Sequence, residues 1–130
     1  MGISANQARL MTLTARQHDL ELRAQQISAT KMTLSLQSQQ WATAYSNALN
    51  DAITKSDKTD DKGNKIFDQE AITAAKGTYD TETTKISSQE KLLDMELTQI
   101  NTEHSAVKTE YDSIKSLIGD NVDKSFNVFG

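Results

Sequence analysis

The sequence predicts an all-α fold, a long antiparallel helical hairpin of the coiled-coil type with a charged loop between its two helices. Apolar residues recur every seven positions in both halves of the chain, which is typical of helices packed along a common seam. The 130 residues include no Pro and only five Gly, so little interrupts a long helix. We expect one helical domain over residues 1–130, with helices over about 4–55 and 69–126 and a loop over about 56–68.

The first helix is predicted from two interleaved heptad series. The first series contains Leu13, Leu20, Ile27, Leu34, Trp41 and Ala48. The second contains Leu10, Ala24, Tyr45 and Ala52, with the polar interruptions Gln17, Lys31 and Ser38. Together they form one apolar stripe, which a partner helix would cover.

The same helix carries further apolar residues on the side away from that stripe. They are Met11, Ala15, Leu22, Ala29, Met32 and Leu36. Because a helix that is apolar on two sides is normally buried on two sides, we expect a second copy or a partner to cover this surplus face. In an alternative three-helix fold, the segment 68–82 would turn back over it.

The segment between the helices, "KSDKTDDKGNKIFDQE", is charged and lacks a period, so it is predicted to be a solvated loop. A short hairpin around Gly63 and Asn64, held by Ile66 and Phe67, is compatible with its composition. The spacing does not fit an EF-hand, because placing Gly63 at the sixth position puts Lys58 first. We expect no metal site here.

The second helix is predicted from a heptad series of apolar and aromatic residues. Its members are Ile72, Tyr79, Ile86, Leu93, Ile100, Val107 and Ile114. The companion positions are Lys76, Thr83, Glu90, Leu97, His104, Tyr111 and Ile118. Asp68 is suited to cap the start of this helix, with Glu70 in its first turn. Gly77 weakens the helix, and a break near Gly77–Thr84 stays an alternative.

Charged residues predict the register of the hairpin. Three arginines are seven residues apart, as are three glutamates at the equivalent heptad position of the second helix. The antiparallel pairs are Arg9 with Glu110, Arg16 with Glu103 and Arg23 with Glu96. Each pair of numbers adds to 119, which places the fold-back near residues 59–60, inside the loop. The same ladder could also form between subunits.

Composition and charge restrict the classes of function. The net charge of −4 argues against nucleic acid as a partner. Residues 1–56 carry five Lys/Arg and three Asp/Glu, whereas residues 57–130 carry nine and fifteen, so the two halves should attract each other within or between copies. The chain has no Cys and no apolar stretch long enough for a transmembrane segment. Its start lacks the apolar core of a cleaved signal peptide.

No constellation for catalysis, a cofactor or a small-molecule substrate is visible. The two histidines, His18 and His104, are predicted on different helices, with His104 near Arg16 and His18 near Asn101 and Thr102. An isolated His in a heptad is more often a tolerated polar layer than a ligand. Four aromatic residues are expected to pack near the hairpin tip: Trp41, Tyr45, Phe67 and Tyr79. We therefore expect a protein that is not an enzyme.

The C-terminal segment "IGDNVDKSFNVFG" is unexpectedly apolar for a chain end. Its large apolar residues are Val122, Phe126, Val128 and Phe129. Because the predicted register leaves residues 120–130 beyond the start of the first helix, these side chains have no partner within one hairpin. They are expected to dock onto a neighbouring copy.

The polar start with Ile, Ser, Asn and Gln, the uncleaved helical N-terminus, the variable middle and the heptad-bearing C-terminal helix resemble the axial and needle proteins of flagellar and type III secretion systems. The resemblance is one of architecture, covers both ends of the chain and implies a secreted helical polymer with terminal helices in its wall. We expect a structural subunit that self-assembles into such a filament or helical array, at the cell surface or outside it. The alternatives are a helical adaptor or export chaperone in a small oligomer, cytoplasmic if not exported, and a secreted hairpin of the WXG100 type. The last is disfavoured because Trp41-Ala42-Thr43 lacks the glycine.

Overall fold

A computed structural model of the chain consists of two α-helices, α1 (Ile3–Thr54) and α2 (Gln69–Phe129), joined by a connector. The structure describes the backbone of residues 2–129 and the side chains of residues 2–120. The predicted fold class, an all-α helical hairpin with a charged loop between the helices, is confirmed. α1 begins and ends one residue before the expected positions, and α2 continues to Phe129.

The start of α2 shows why its boundary could be predicted. The carboxylate of Asp68 accepts a hydrogen bond from the backbone N–H of Ala71 at 3.1 Å, which caps one of the free donors of the first turn. α2 is continuous through Gly77, so neither the break near Gly77–Thr84 nor a third helix from residues 68–82 occurs. A single Gly in a helix costs about 1 kcal/mol relative to Ala. Tyr79, two residues later, stacks on Tyr45.

Contacts between residues divide the chain into two compact units. The first unit, residues 1–28 with 94–130, contains a core in which Leu13 of α1 packs with Val107 and Ile114 of α2. Four half-buried residues pack against this cluster: Leu10, Leu20, Tyr111 and Ile118. All of these residues belong to the predicted heptad series. The apolar heptad positions therefore mark the face that is buried in this unit. That the whole chain forms one domain stays a prediction.

The second unit comprises residues 29–93 and contains the connector. Leu34, Ala52 and Ile86 are its buried apolar residues. Tyr45 of α1 stacks on Tyr79 of α2, with ring centroids 4.9 Å apart and an interplanar angle of 19°. Stacked aromatic pairs of this kind add about 0.5–1.5 kcal/mol beyond the area they bury.

The connector is ordered by its own backbone. Thr59 and Lys65 form an antiparallel bridge, and Gly63 has φ = 80°, a left-handed conformation that suits glycine. The side chain of Asp60 accepts hydrogen bonds from the N–H groups of Lys62 and Asn64, both at 2.9 Å. The short hairpin around Gly63 and Asn64 is thus present. The backbone N–H of Ile66 donates to the Lys58 carbonyl at 3.0 Å and helps to close the hairpin. The side chains of Ile66 and Phe67 do not pack over it, because they are 46% and 58% exposed.

We predict that the connector contributes little to the helices. Every residue from Asp57 to Asn64 is exposed, and loop sequence affects closure entropy only weakly. Replacing this segment with a Gly/Ser linker of equal length should leave the helical circular dichroism signal almost unchanged. A large loss of helix would show that the segment packs against the helices.

One buried residue of the first unit is polar. Asn6 lies seven residues before Leu13 and therefore extends the heptad series toward the N-terminus. It is 2% exposed, and its Oδ1 atom has no hydrogen-bond partner among the described residues. A buried acceptor without a partner costs about 1–3 kcal/mol. Asparagine at such a position is known to specify register at a cost in stability.

Replacing Asn6 with Leu should therefore raise the free energy of unfolding by about 1–3 kcal/mol, because the desolvated amide is removed. Denaturant-induced unfolding followed by circular dichroism is the measurement. Gln7→Leu is the matched control, since Gln7 is exposed and its replacement should change the free energy by less than about 0.5 kcal/mol. A destabilised Asn6→Leu variant would contradict this interpretation.

Candidate interaction surfaces

The three predicted arginine–glutamate pairs form within one chain, in the first unit. Arg9 Nε donates to Glu110 Oε1 at 2.9 Å, and Arg23 Nε donates to Glu96 Oε1 at 2.7 Å. The pair between them is longer, with 3.3 Å between an Arg16 guanidinium nitrogen and the Glu103 carboxylate. The helices are therefore antiparallel, with paired residue numbers that add to 119.

These pairs set the register more than they stabilise the fold. Their side chains are between 36% and 57% exposed, and exposed pairs contribute about 0–1 kcal/mol each. A shift of one helix along the other would break all three together. The ladder therefore favours one alignment over its neighbours.

In the second unit the equivalent positions do not carry such charge pairs. Thr30 and Gln89, whose numbers also add to 119, border an open cavity of about 460 Å³. Ala44 and Ala75 stand in the same relation and border a smaller cavity of about 240 Å³. The third pair with this sum is Gln37 and Glu82, which border a further open depression of about 500 Å³. None of these three pairs joins opposite charges.

The smaller cavity collects three of the four aromatic residues expected at the tip. Trp41, Tyr45 and Tyr79 line it together with alanines and Thr78. Phe67 is largely exposed and does not line it. Aromatic rings and alanine methyl groups make up most of its lining, so this cavity is suited to apolar contact.

Both histidines contact one carboxylate in the first unit. Glu21 Oε1 lies 3.2 Å from His104 Nε2, and Glu21 Oε2 lies 3.6 Å from His18 Nδ1. The sequence analysis placed Arg16 near His104, whereas the residue that contacts His104 is Glu21, five positions further along α1. Among the described residues no group of three His, Asp or Glu side chains is placed to bind a metal ion.

The surplus apolar face of α1 is open to solvent. Met11 is 74% and Leu22 54% exposed in the first unit, and Met32 is 69% and Leu36 55% exposed in the second. Ala15 and Ala29 are exposed as well. α2 does not cover this face, because the stripe of α1 that packs against α2 lies on the other side of the helix.

The sequence analysis missed exposed apolar residues on α2. Leu92 is 65% and Met95 62% exposed. Leu92 lies one residue before Leu93 of the predicted seam, and Met95 lies two residues after it. Hydropathy alone does not show which of these three side chains is buried. The signal that could have found them is a second heptad pattern, offset from the first.

The proposed docking residues of the C-terminus lie outside the described side chains. They are Val122, Phe126, Val128 and Phe129. Their place in assembly stays a prediction.

No family model, curated protein or solved structure matches this chain. Within the described residues neither helix is long and apolar enough to cross a membrane.

We predict that reversing the charge of Arg16 weakens the hairpin by repulsion from Glu103. Arg16→Glu should lower the free energy of unfolding by up to about 1 kcal/mol, and Glu103→Arg in the same chain should restore part of the loss. Urea unfolding of both single variants and the double variant gives the coupling energy. Strictly additive losses in the double variant would exclude the pairing.

Proposed function

We propose that this protein is a structural subunit that self-assembles through its N- and C-terminal helices into a filament or another helical array. The observation that supports this proposal is the exposed apolar face of α1. Met11 and Met32 are among the most exposed large apolar side chains of the described chain, at 74% and 69%. Solvated helices rarely keep such residues along a face that nothing covers.

The free energy available from covering this face is sufficient for association. Full burial of one large apolar side chain contributes about 1.5–3 kcal/mol. Met11, Leu22, Met32 and Leu36 together would exceed the lower estimates of the entropic cost of joining two subunits. Repetition of the contact along an array would add to this.

Export belongs to the same proposal. The architectural resemblance to axial and needle proteins favours a secreted or surface-exposed polymer.

Sedimentation velocity over a concentration series tests the self-assembly. We expect the 14.4 kDa subunit to give way to large species as concentration rises. A Met32→Glu, Leu36→Glu variant should remain small at the same concentrations, because assembly would bury two unpaired carboxylates. A wild-type subunit that stays monomeric throughout would contradict the proposal.

We predict that deleting residues 122–130 leaves a helical protein but blocks or greatly weakens higher assembly. The tail holds four large apolar residues, each worth about 1.5–3 kcal/mol when buried against a neighbour. Circular dichroism and sedimentation at matched concentration are the measurements.

A full-length variant with Ser at the four apolar positions of the tail is the control for chain length. It should behave like the truncated chain. If the full-length and truncated proteins form the same large species, the tail does not form the contact between subunits. Loss of helicity on truncation would instead place the tail in the subunit's own core.

A further inference from the structure

Both histidines of the chain contact the same carboxylate. Nε2 of His104, on α2, lies 3.2 Å from one oxygen of Glu21 on α1. Nδ1 of His18, one turn earlier on α1, lies 3.6 Å from the other oxygen. The chain contains two histidines in all, so its whole imidazole content is gathered around one carboxylate of the first unit.

The two contacts differ in what they join. The contact between His104 and Glu21 crosses from α2 to α1, whereas the contact between His18 and Glu21 lies within a single helix. The side chain of His104 is 32% exposed, against 73% for that of His18. Because water screens the attraction between exposed charges, the crossing contact should respond more strongly to a change of charge.

The charge of the imidazole decides how strong the crossing contact is. A neutral imidazole can donate one N–H group to a carboxylate, whereas an imidazolium ion forms a charge-assisted hydrogen bond that is about twice as strong. Imidazole groups change charge between about pH 5 and pH 8, a range in which most carboxylates stay ionised. An imidazole that gains a carboxylate partner on folding binds protons more tightly in the folded chain. Such a contact therefore adds stability as the pH falls through this range.

The other charged residues of α1 near this cluster do not compete for Glu21. Arg16 and Arg23 both donate to glutamates of α2, with distances of 3.3 Å and 2.7 Å. Asp19 follows His18 directly in the sequence and adds a negative charge on this side. A second carboxylate near the cluster favours the charged form of an imidazole.

On α2, two charged residues lie within about one turn of His104. Glu103 precedes it and accepts the hydrogen bond from Arg16, so the charges of that pair offset each other. Lys108 lies four residues after His104, and its positive charge opposes that of an imidazolium ion. This single cation faces two carboxylates on the α1 side, so the balance of charge favours proton uptake.

We propose that His18, Glu21 and His104 make the pairing of α1 with α2 in the first unit sensitive to pH. Proton uptake by His104 converts a neutral hydrogen bond between the helices into an ion pair, so the helices are held together more firmly at acidic pH. The arginine–glutamate pairs keep their charges over the same range and supply a contact that does not change. The proposal concerns a single chain and does not depend on the proposed self-assembly.

A double-mutant cycle at two pH values tests this proposal. The four proteins are the wild type, Glu21→Gln, His104→Gln and the double variant, unfolded with urea at concentrations where sedimentation shows single chains. We expect the coupling of the two side chains to change the unfolding equilibrium constant by up to about fivefold near pH 5.5, and by about twofold or less near pH 8. The cycle cancels the pH dependence of all other carboxylates, because they are present in all four proteins.

The pair of Arg23 and Glu96 supplies the matched control. Its Nε–Oε1 hydrogen bond of 2.7 Å also joins the helices of the first unit, but neither side chain changes charge between about pH 5.5 and pH 8. The cycle built from Arg23→Gln and Glu96→Gln should give the same coupling at both pH values.

A coupling of His104 with Glu21 that is equal at the two pH values, or larger at the higher one, would overturn the proposal. If His104→Gln does not fold, the wild type and Glu21→Gln give the test by themselves. Their unfolding equilibrium constants should then differ more near pH 5.5 than near pH 8. An equal difference at both pH values would again overturn the proposal.

Discussion

An antiparallel pair of helices buries one stripe of each helix and no more. In the first unit that stripe is the heptad seam of Leu13, Val107 and Ile114, held in register by arginine–glutamate pairs. Large apolar side chains outside the seam are left in water among the described residues, including Met11 and Leu22. The described part of the chain therefore leaves apolar surface that its own helices do not cover.

The charged and polar residues restrict how that surplus can be used. The exposed ion pairs contribute little free energy, but a slipped alignment would lose all of them at once. Asn6 also favours a single register, because a buried amide is tolerated at few positions along the seam. A subunit with one defined register presents its outer residues at fixed spacing. Ordered self-assembly requires such regular presentation, whereas a loosely paired hairpin would aggregate.

Features of the fold that depend on the heptad period could be predicted from the sequence. Individual side-chain contacts outside that period could not. The seams and the pairing of Arg23 with Glu96 follow from spacing. The cap at Asp68 follows from the residue type at the start of the second period. The contact of Glu21 with His104 joins positions that the predicted pairing does not relate, because their numbers add to 125 rather than 119. The exposed positions of Leu92 and Met95 were missed because hydropathy alone does not separate these residues from Leu93 of the seam.

Negative-stain electron microscopy of the purified chain over a concentration series tests the central claim most directly. A surplus face that repeats along an array predicts long fibres of uniform width, which increase in number above a threshold concentration. Small particles of a single size at every concentration, as a discrete adaptor or export chaperone would form, would contradict it.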